Sequence, residues 1–558
     1  MPEPVSRTGP RAAATGPADL VLRDAPLYRR GAWDGDRVAV RDGVIVGVGD
    51  ERSIEHLVGP RTEVRSLAGR WLLPAFHDAH VHPVAGGLEM GQCNLTEVTT
   101  LADYQRLVGA YAAEHPDLEW VTGGGWSMTS FPGGVPRAAD LDAVVADRPV
   151  YLPNRDHHSA WVNSRALELA GIDEHTPDPG DGRIERDARG RPTGALHEGA
   201  MALVGRLVPA PTSHELREGL RTAQRHLASL GIVGWQDALV GEALGMQDTL
   251  DTYVDAVARG ELHAKVVLAL WWDRSRGLEQ LPDLLHRREL AASAGLRATS
   301  IKIMQDGVCE THTAALLESY LGTDGRPTGN HGLSFIDRGD LAAYVTALDA
   351  QDFQVHLHAL GDRAVRDSLD AIAHAADVNG RRGNRHHLAH LQVVHEDDVP
   401  RFADLDVTAN AQPLWACRDE AVEELTLPFL PTSMWDRQYV FGSLLRAGAR
   451  LACGSDWPIS SADPLEGMHV AVNRREPGDP GADTLLPAEA LTIQQAIAGY
   501  TTGAARVNGL EDVTGRIEVG YAADLVALDG DILGGDGSAI ADLSVTHTFA
   551  DGREVHPG

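Results

Sequence analysis

Apolar positions along the chain gather into short runs, and most runs are followed by a polar or glycine-bearing tip and then by a stretch of helical spacing. Eight stand out: WLLPAFHDAHVH (71–82), GIVGWQDA (231–238), LHAKVVLALWW (262–272), ATSIKIMQDG (298–307), FQVHLHALGD (353–362), HHLAHLQ (386–392), VTANAQP (407–413) and RLACGSDWP (450–458). Strands alternating with helices predict an α/β fold with a parallel sheet, and eight of them predict a (β/α)8 barrel of the TIM type. The intervening helices are expected at 245–259, 277–294, 339–351, 363–377 and 435–447.

Elsewhere the period is two. Short alternating strands fill 19–69 (ADLVLRDAPLY, DRVAVRDGVIVGVGD, TEVRSLAG), and the style returns in GRIEVGYAADLVALDG and SVTHTFADGREVHPG near the end. Two half-sheets at opposite ends predict one small β-sandwich built from both termini. Between the first two barrel strands lie roughly 150 residues, far more than a crossover needs, so a subdomain is inserted there. The expected organisation is a disordered leader at 1–17, sandwich at 18–70, barrel strand 1 at 71–87, insert at 88–213, the remaining barrel at 214–510 and sandwich again at 511–558. An insert after strand 1 emerges at the C-terminal face of the barrel and should roof an active site there.

Composition narrows the partners. With 49 basic and 80 acidic side chains in 558 residues, the formal charge is −31, which disfavours nucleic acid and anionic membranes. The four cysteines, Cys93, Cys309, Cys417 and Cys453, show no CxxC spacing, which argues against a disulfide framework or thiolate zinc and fits a reducing cytoplasm. The first residues contain no apolar signal core, and no run reaches the length of a membrane span. A small-molecule substrate and a homodimer are the default expectations. Only two of the basic residues, Lys265 and Lys302, are lysines. Arginine stays charged at any working pH whereas lysine can become neutral, so a retained lysine invites a chemical reason. For Lys265 the expectation is a surface cation at a strand start; for Lys302 the plain alternative is a buried salt bridge to Asp306 or Glu310.

His80 and His82, two apart on strand 1, point to the same face. One HxH among 25 histidines is weak evidence for a metal. Its weight grows because Lys302 lies in strand 4, while His358, His390 and Asp456 end strands 5, 6 and 8. Such nitrogen and oxygen donors suit zinc, manganese, iron, nickel or cobalt. A desolvated, neutral lysine can add carbon dioxide and become a carbamate whose two oxygens bridge two cations.

FHDAHVHP (76–83), IKIMQDGVCETHTAAL (301–316), HLHALGDRA (356–364), HLAHLQ (387–392) and GSDWP (454–458) together resemble the metal-dependent amidohydrolase superfamily. More narrowly, they are similar to the family 3 branch that contains N-substituted formamide deformylases. The resemblance implies one or two divalent metal ions, with zinc first in line. His80, His82 and Asp456 would bind the deeper metal, His358 and His390 the second, with carboxylated Lys302 as the bridge and His356 in a supporting position. It implies hydrolysis of a non-peptide C–N bond, a linear or N-substituted amide, by metal-activated hydroxide with Asp456 as proton shuttle. RDHHSAWVNSRAL (155–167) resembles a family motif in which His157 replaces a more usual glycine, which puts the local turn in question. Trp126, His158, Gln412 and Trp457 are the substrate-binding candidates, with Trp161 equally expected in the core of the insert. A deaminase or cyclic-amide hydrolase on the same fold is the alternative enzyme, disfavoured because HLHALGD lacks an acid glutamate. A metal-free scaffold protein is the alternative outside enzymes.

Overall fold

A computed structural model of the chain describes residues 16–96, 98–243, 246–479 and 481–557. At its centre eight strands form a parallel sheet rolled into a barrel, here numbered β1 (Phe76–Val81), β2 (Ile232–Val240), β3 (Lys265–Trp271), β4 (Arg297–Met304), β5 (Gln354–Ala359), β6 (His387–His390), β7 (Thr408–Ala411) and β8 (Arg450–Cys453). Each strand pairs in parallel with the next in chain order. The barrel closes just past β8, where Asp456 N donates to His80 O (2.8 Å) and His82 N to Trp457 O (2.9 Å). Helices cover the outside. The one over Ser213–Ser229 starts in a reciprocal cap between Thr212 and Glu215, and its Leu220, Ala223 and Leu227 turn into the barrel core.

The sandwich does draw on both ends of the chain. Val44–Gly49, Arg37–Arg41, Leu20–Arg23 and Glu63–Ser66 make one sheet; Arg553–His556, Val545–Ala550, Leu525–Leu528 and Trp71–Pro74 make the other. Leu22, Val38, Val40, Leu72, Leu525 and Phe549 fill the space between them. The insert after β1 carries a six-stranded sheet running from Cys93–Asn94 to Gly182–Arg186, with a core of its own around Tyr104, Trp126, Phe131 and Trp161.

Three details depart from the sequence reading. The run 71–82 is two strands: Trp71–Pro74 pairs antiparallel with Leu525–Leu528 in the sandwich, and the chain enters the barrel only at Phe76. Pro74 has no N–H with which to continue a ladder, so the change of partner falls there. The helix expected over 435–447 begins at Phe441, because Tyr439 sits in the left-handed region (φ 49°) and interrupts helical winding. Lys265 is a strut: its Nζ lies 2.9 Å from Asp524 and 3.0 Å from Asp551, tying the foot of β3 to the sandwich. The expected leader lies, through residue 15, outside the described residues.

Candidate metal centre

All six ligand candidates face one small chamber of about 50 Å³ at the C-terminal mouth of the barrel. His80 Nε2 and His82 Nε2 each stand 3.0 Å from Asp456 Oδ1, and His390 Nδ1 stands 3.8 Å from Oδ2. Lys302 Nζ is 3.3 Å from His80 Nε2. The His358 ring lies 4.5 Å from that of His390. The tightest trio, His80, His390 and Asp456, offers ligand atoms all within 4.8 Å of one another. This trio crosses the two ligand sets that the family resemblance implies.

The donor set fits a divalent cation. Asp456 Oδ1 and His390 Nδ1 are buried and, among the described residues, have no aligned hydrogen-bond partner, although polar atoms crowd around them. Buried polar atoms left in that state are rare in folded proteins unless something else occupies their lone pairs. Burial, then the charge on Lys302, lowers the pKa of His80 to about 3; burial also holds His358 and His390 well below the ordinary value. Neutral imidazoles are the form that binds metal. Burial acts to raise the pKa of Asp456, but the imidazoles of His80, His82 and His390 outweigh it and keep the carboxylate ionised.

Lys302 is buried, and no carboxylate among the described residues forms an ion pair with it. The salt bridge to Asp306 or Glu310 is therefore absent. Burial lowers the Lys302 pKa to about 7, so a substantial neutral fraction exists near neutrality. Asp306 is committed elsewhere. Its Oδ1 faces His358 Nδ1 (3.2 Å) and accepts from Leu360 N, and its Oδ2 accepts from Gly361 N and Ala315 N.

Beneath the chamber a polar layer fixes the ligands. His356 Nε2 meets His80 Nδ1 at 2.9 Å and its other nitrogen meets Gln236 Oε1 at 2.7 Å, leaving His80 Nε2 to face the chamber. Asp78 accepts from His80 N, Ser455 N and Ser455 Oγ, binding β1 to the loop after β8. Asp78, Ser455 and Asp306 were missed as positioning residues; each stands inside a quoted motif, but a motif does not say which way a carboxylate turns.

The substrate candidates divide. His158 lines the chamber, its Nδ1 2.9 Å from Glu198 Oε1. Burial opposes charge on this ring, yet Glu198 prevails and raises the pKa to about 9. Trp457 and Trp126 border a second cavity of about 740 Å³ that shares Asp156, Pro458 and Ile459 with the chamber. The indole N–H of Trp126 is already spent on Leu152 O, and Trp161 is wholly within the core of the insert. Gln412 stands outside both cavity walls and accepts from His390 N (2.8 Å). Trp415, unforeseen, lies parallel to His390 with ring centroids 5.3 Å apart. His157 adopts φ 61°, the conformation a glycine would take at no cost, and its Nε2 is anchored 3.0 Å from Glu89.

The profile of the amidohydrolase family matches residues 63–556. Protein LONG AFTER FAR-RED 3 of Arabidopsis thaliana is 30% identical over 97% of this chain and 92% of its own. The N-substituted formamide deformylase of Arthrobacter pascens is 27% identical over 92% of this chain and 94% of its own. Among solved structures, an uncharacterized metal-dependent hydrolase from Pyrococcus furiosus superposes with a TM-score of 0.69 at 24% identity, covering 92% of this chain and all of that one, which speaks to the fold.

Proposed function

The chain belongs to the amidohydrolase family of metal-dependent hydrolases, and from that premise we propose that it cleaves a linear, N-substituted amide, formamide-like in its reacting group, in the cytoplasm and as a homodimer. The observation that carries the reading is Lys302, a buried amine without a carboxylate ion pair among the described residues that shares its chamber with the imidazoles of His80, His82, His358 and His390 and the carboxylate of Asp456. Its neutral form takes up carbon dioxide, releasing a proton and leaving a carbamate with two ligand oxygens. His80, His82 and Asp456 would hold one cation and His358 and His390 another, with carboxylated Lys302 between them; zinc suits such donors. The similarity to a formamide deformylase supports a small acyl group on the substrate. The four free, buried cysteines support a reducing compartment.

A divalent cation bound there supplies Lewis acidity and a water of lowered pKa. The chain supplies the rest. Asp456, with Oδ1 towards His80 and His82 and Oδ2 towards His390, accepts a proton from the attacking water and returns it to the leaving nitrogen. His158, kept charged by Glu198, offers its remaining ring nitrogen to the carbonyl oxygen as negative charge develops. The 740 Å³ cavity receives the N-substituent.

The test is elemental analysis of wild type and Lys302→Ala, both purified without chelator and with bicarbonate present, followed by assay on N-formyl and N-acyl amines. About two metal equivalents in wild type, falling sharply in the variant, with amide hydrolysis lost in parallel, is the expected result. One equivalent untouched by the substitution would remove Lys302 from the metal centre, and activity confined to amino-purines or cyclic amides would overturn the linear-amide assignment.

A further inference from the structure

Carboxylates outnumber guanidinium and ammonium groups five to one on the wall of the large cavity beside the chamber. Asp156, Glu310, Asp419, Glu420 and Glu476 line it, and the guanidinium it contains, that of Arg155, already donates to Thr96 O. Among the described residues none of the five carboxylates is in an ion pair. Elsewhere some buried carboxylates have cationic partners, Asp524 with Lys265, Asp398 with Arg366 and Arg401, and Glu489 with Arg446, while others such as Asp78 and Asp237 are met by hydroxyl and amide donors. Around the cavity Asp156, Glu310 and Asp419 are half-buried without a cationic partner among the described residues, and Glu420 and Glu476 are exposed. Their mutual repulsion is visible in Glu310, whose pKa rises to about 7 through burial and the nearby Asp156 and Asp419, and in Asp419, raised to about 6 through burial and Glu476.

A second observation is independent of charge. Gln392, two residues beyond His390, stands at the wall of the same cavity, fully buried, and neither its amide oxygen nor its amide nitrogen has a hydrogen-bond partner among the described residues. A buried amide with both ends unmet is rare unless a bound molecule pairs with it, and its oxygen is free to accept from a donor in the cavity. The aromatic wall adds a third element, since the Trp415 and Trp457 indoles border the same space, and indole faces attract cations.

Resting on the amide-hydrolase reading, we infer that the N-substituent of the substrate carries a cationic group, an ammonium or guanidinium, which the cavity seats among Glu310, Asp419 and Trp415 and which donates to the amide oxygen of Gln392. The acyl carbon then lies in the metal chamber and the cation lies in the roofed cavity, so the enzyme selects monoacylated diamines or acylated basic side chains over neutral and acidic amides.

The test separates binding from turnover. Three methanesulfonamides of equal chain length, which cannot be hydrolysed as amides are, carry an ω-ammonium, an ω-methyl or an ω-carboxylate; their binding to the metal-loaded enzyme is measured by titration calorimetry. The ammonium compound is expected to bind about tenfold or more tightly than the methyl compound, the carboxylate compound least, and the ammonium advantage to shrink with added salt. Glu310→Gln should cut the ratio of ammonium to methyl affinity about tenfold, while Glu310→Asp, which keeps the charge, should preserve most of it. Equal or reversed preference, no binding by any of the three, or a preference that survives Glu310→Gln combined with Asp419→Asn overturns the inference. Hydrolysis of the three matching acetamides and formamides is read separately. Turnover without charge preference leaves the amide hydrolase standing and removes the cationic substrate, whereas cation-selective binding without turnover of any amide does the reverse.

Discussion

His390 and Asp456 hold left-handed backbone angles, φ 80° and 59°, at the ends of their strands. A non-glycine residue kept there costs on the order of 1–3 kcal/mol, which surrounding contacts must offset. Here the contacts are specific. His390 N donates to Gln412 Oε1, and Asp456 N donates to His80 O, so each turn is locked while its side chain is thrown across the barrel mouth. Gln412→Leu should strand the buried His390 amide, lower stability by about 1–3 kcal/mol and weaken metal retention about tenfold, checked by thermal melting and by competition with a chelating dye. Asp306→Asn should loosen His358 in the same way, with metal affinity down about 10–100-fold, and should lower the melting temperature as well, because backbone N–H groups donate to both carboxylate oxygens and the asparagine NH2 can accept from none of them. His158 gives a pH signature. Its folded pKa, about 9, lies above the ordinary 6.5, so the stability it contributes is complete below pH 6.5 and is lost as pH rises through about 9. In chelator-treated protein the stability difference between wild type and His158→Gln should therefore shrink between those limits, by on the order of 3 kcal/mol, in denaturant titrations at a series of pH values.

At the level of elements, the eight apolar runs became the eight barrel strands because burial on both faces leaves little else for such segments to do. The ligands at their ends were legible for the same reason: strand register fixes where a side chain emerges. What was not legible depends on contacts far apart in sequence. Nothing local to 71–82 reveals that its first four residues will pair with Leu525–Leu528, and nothing local to Gln392 or Trp415 reveals a cavity wall. Lys265 is the sharpest example, read as a surface cation because Asp524 and Asp551 lie far down the chain. Lys265→Met should leave the buried Asp524 without its cation and cost about 3–5 kcal/mol, while kcat at low temperature stays within about twofold because the strut is at the opposite end of β3 from the chamber. A thermal melt beside an initial-rate assay separates the two effects.

For the whole molecule, the sandwich is a joint structure. Its inner face sets Leu22, Val38, Val40 and Leu72 against Leu525 and Phe549, so neither end of the chain has a core alone. A chain stopped at residue 510 keeps every metal-centre candidate but exposes that apolar face. It should be recovered as aggregate, or as soluble protein without a cooperative thermal transition, in a solubility and circular dichroism comparison with the full chain.

Trp71–Pro74 runs directly into the strand that bears His80 and His82, and its neighbour in the sheet is Leu525–Leu528. On a ribosome, that neighbour is made only after all eight barrel strands. The two histidines at the start of the site therefore wait, while the rest of the barrel is made, for the residues that brace the segment feeding their strand.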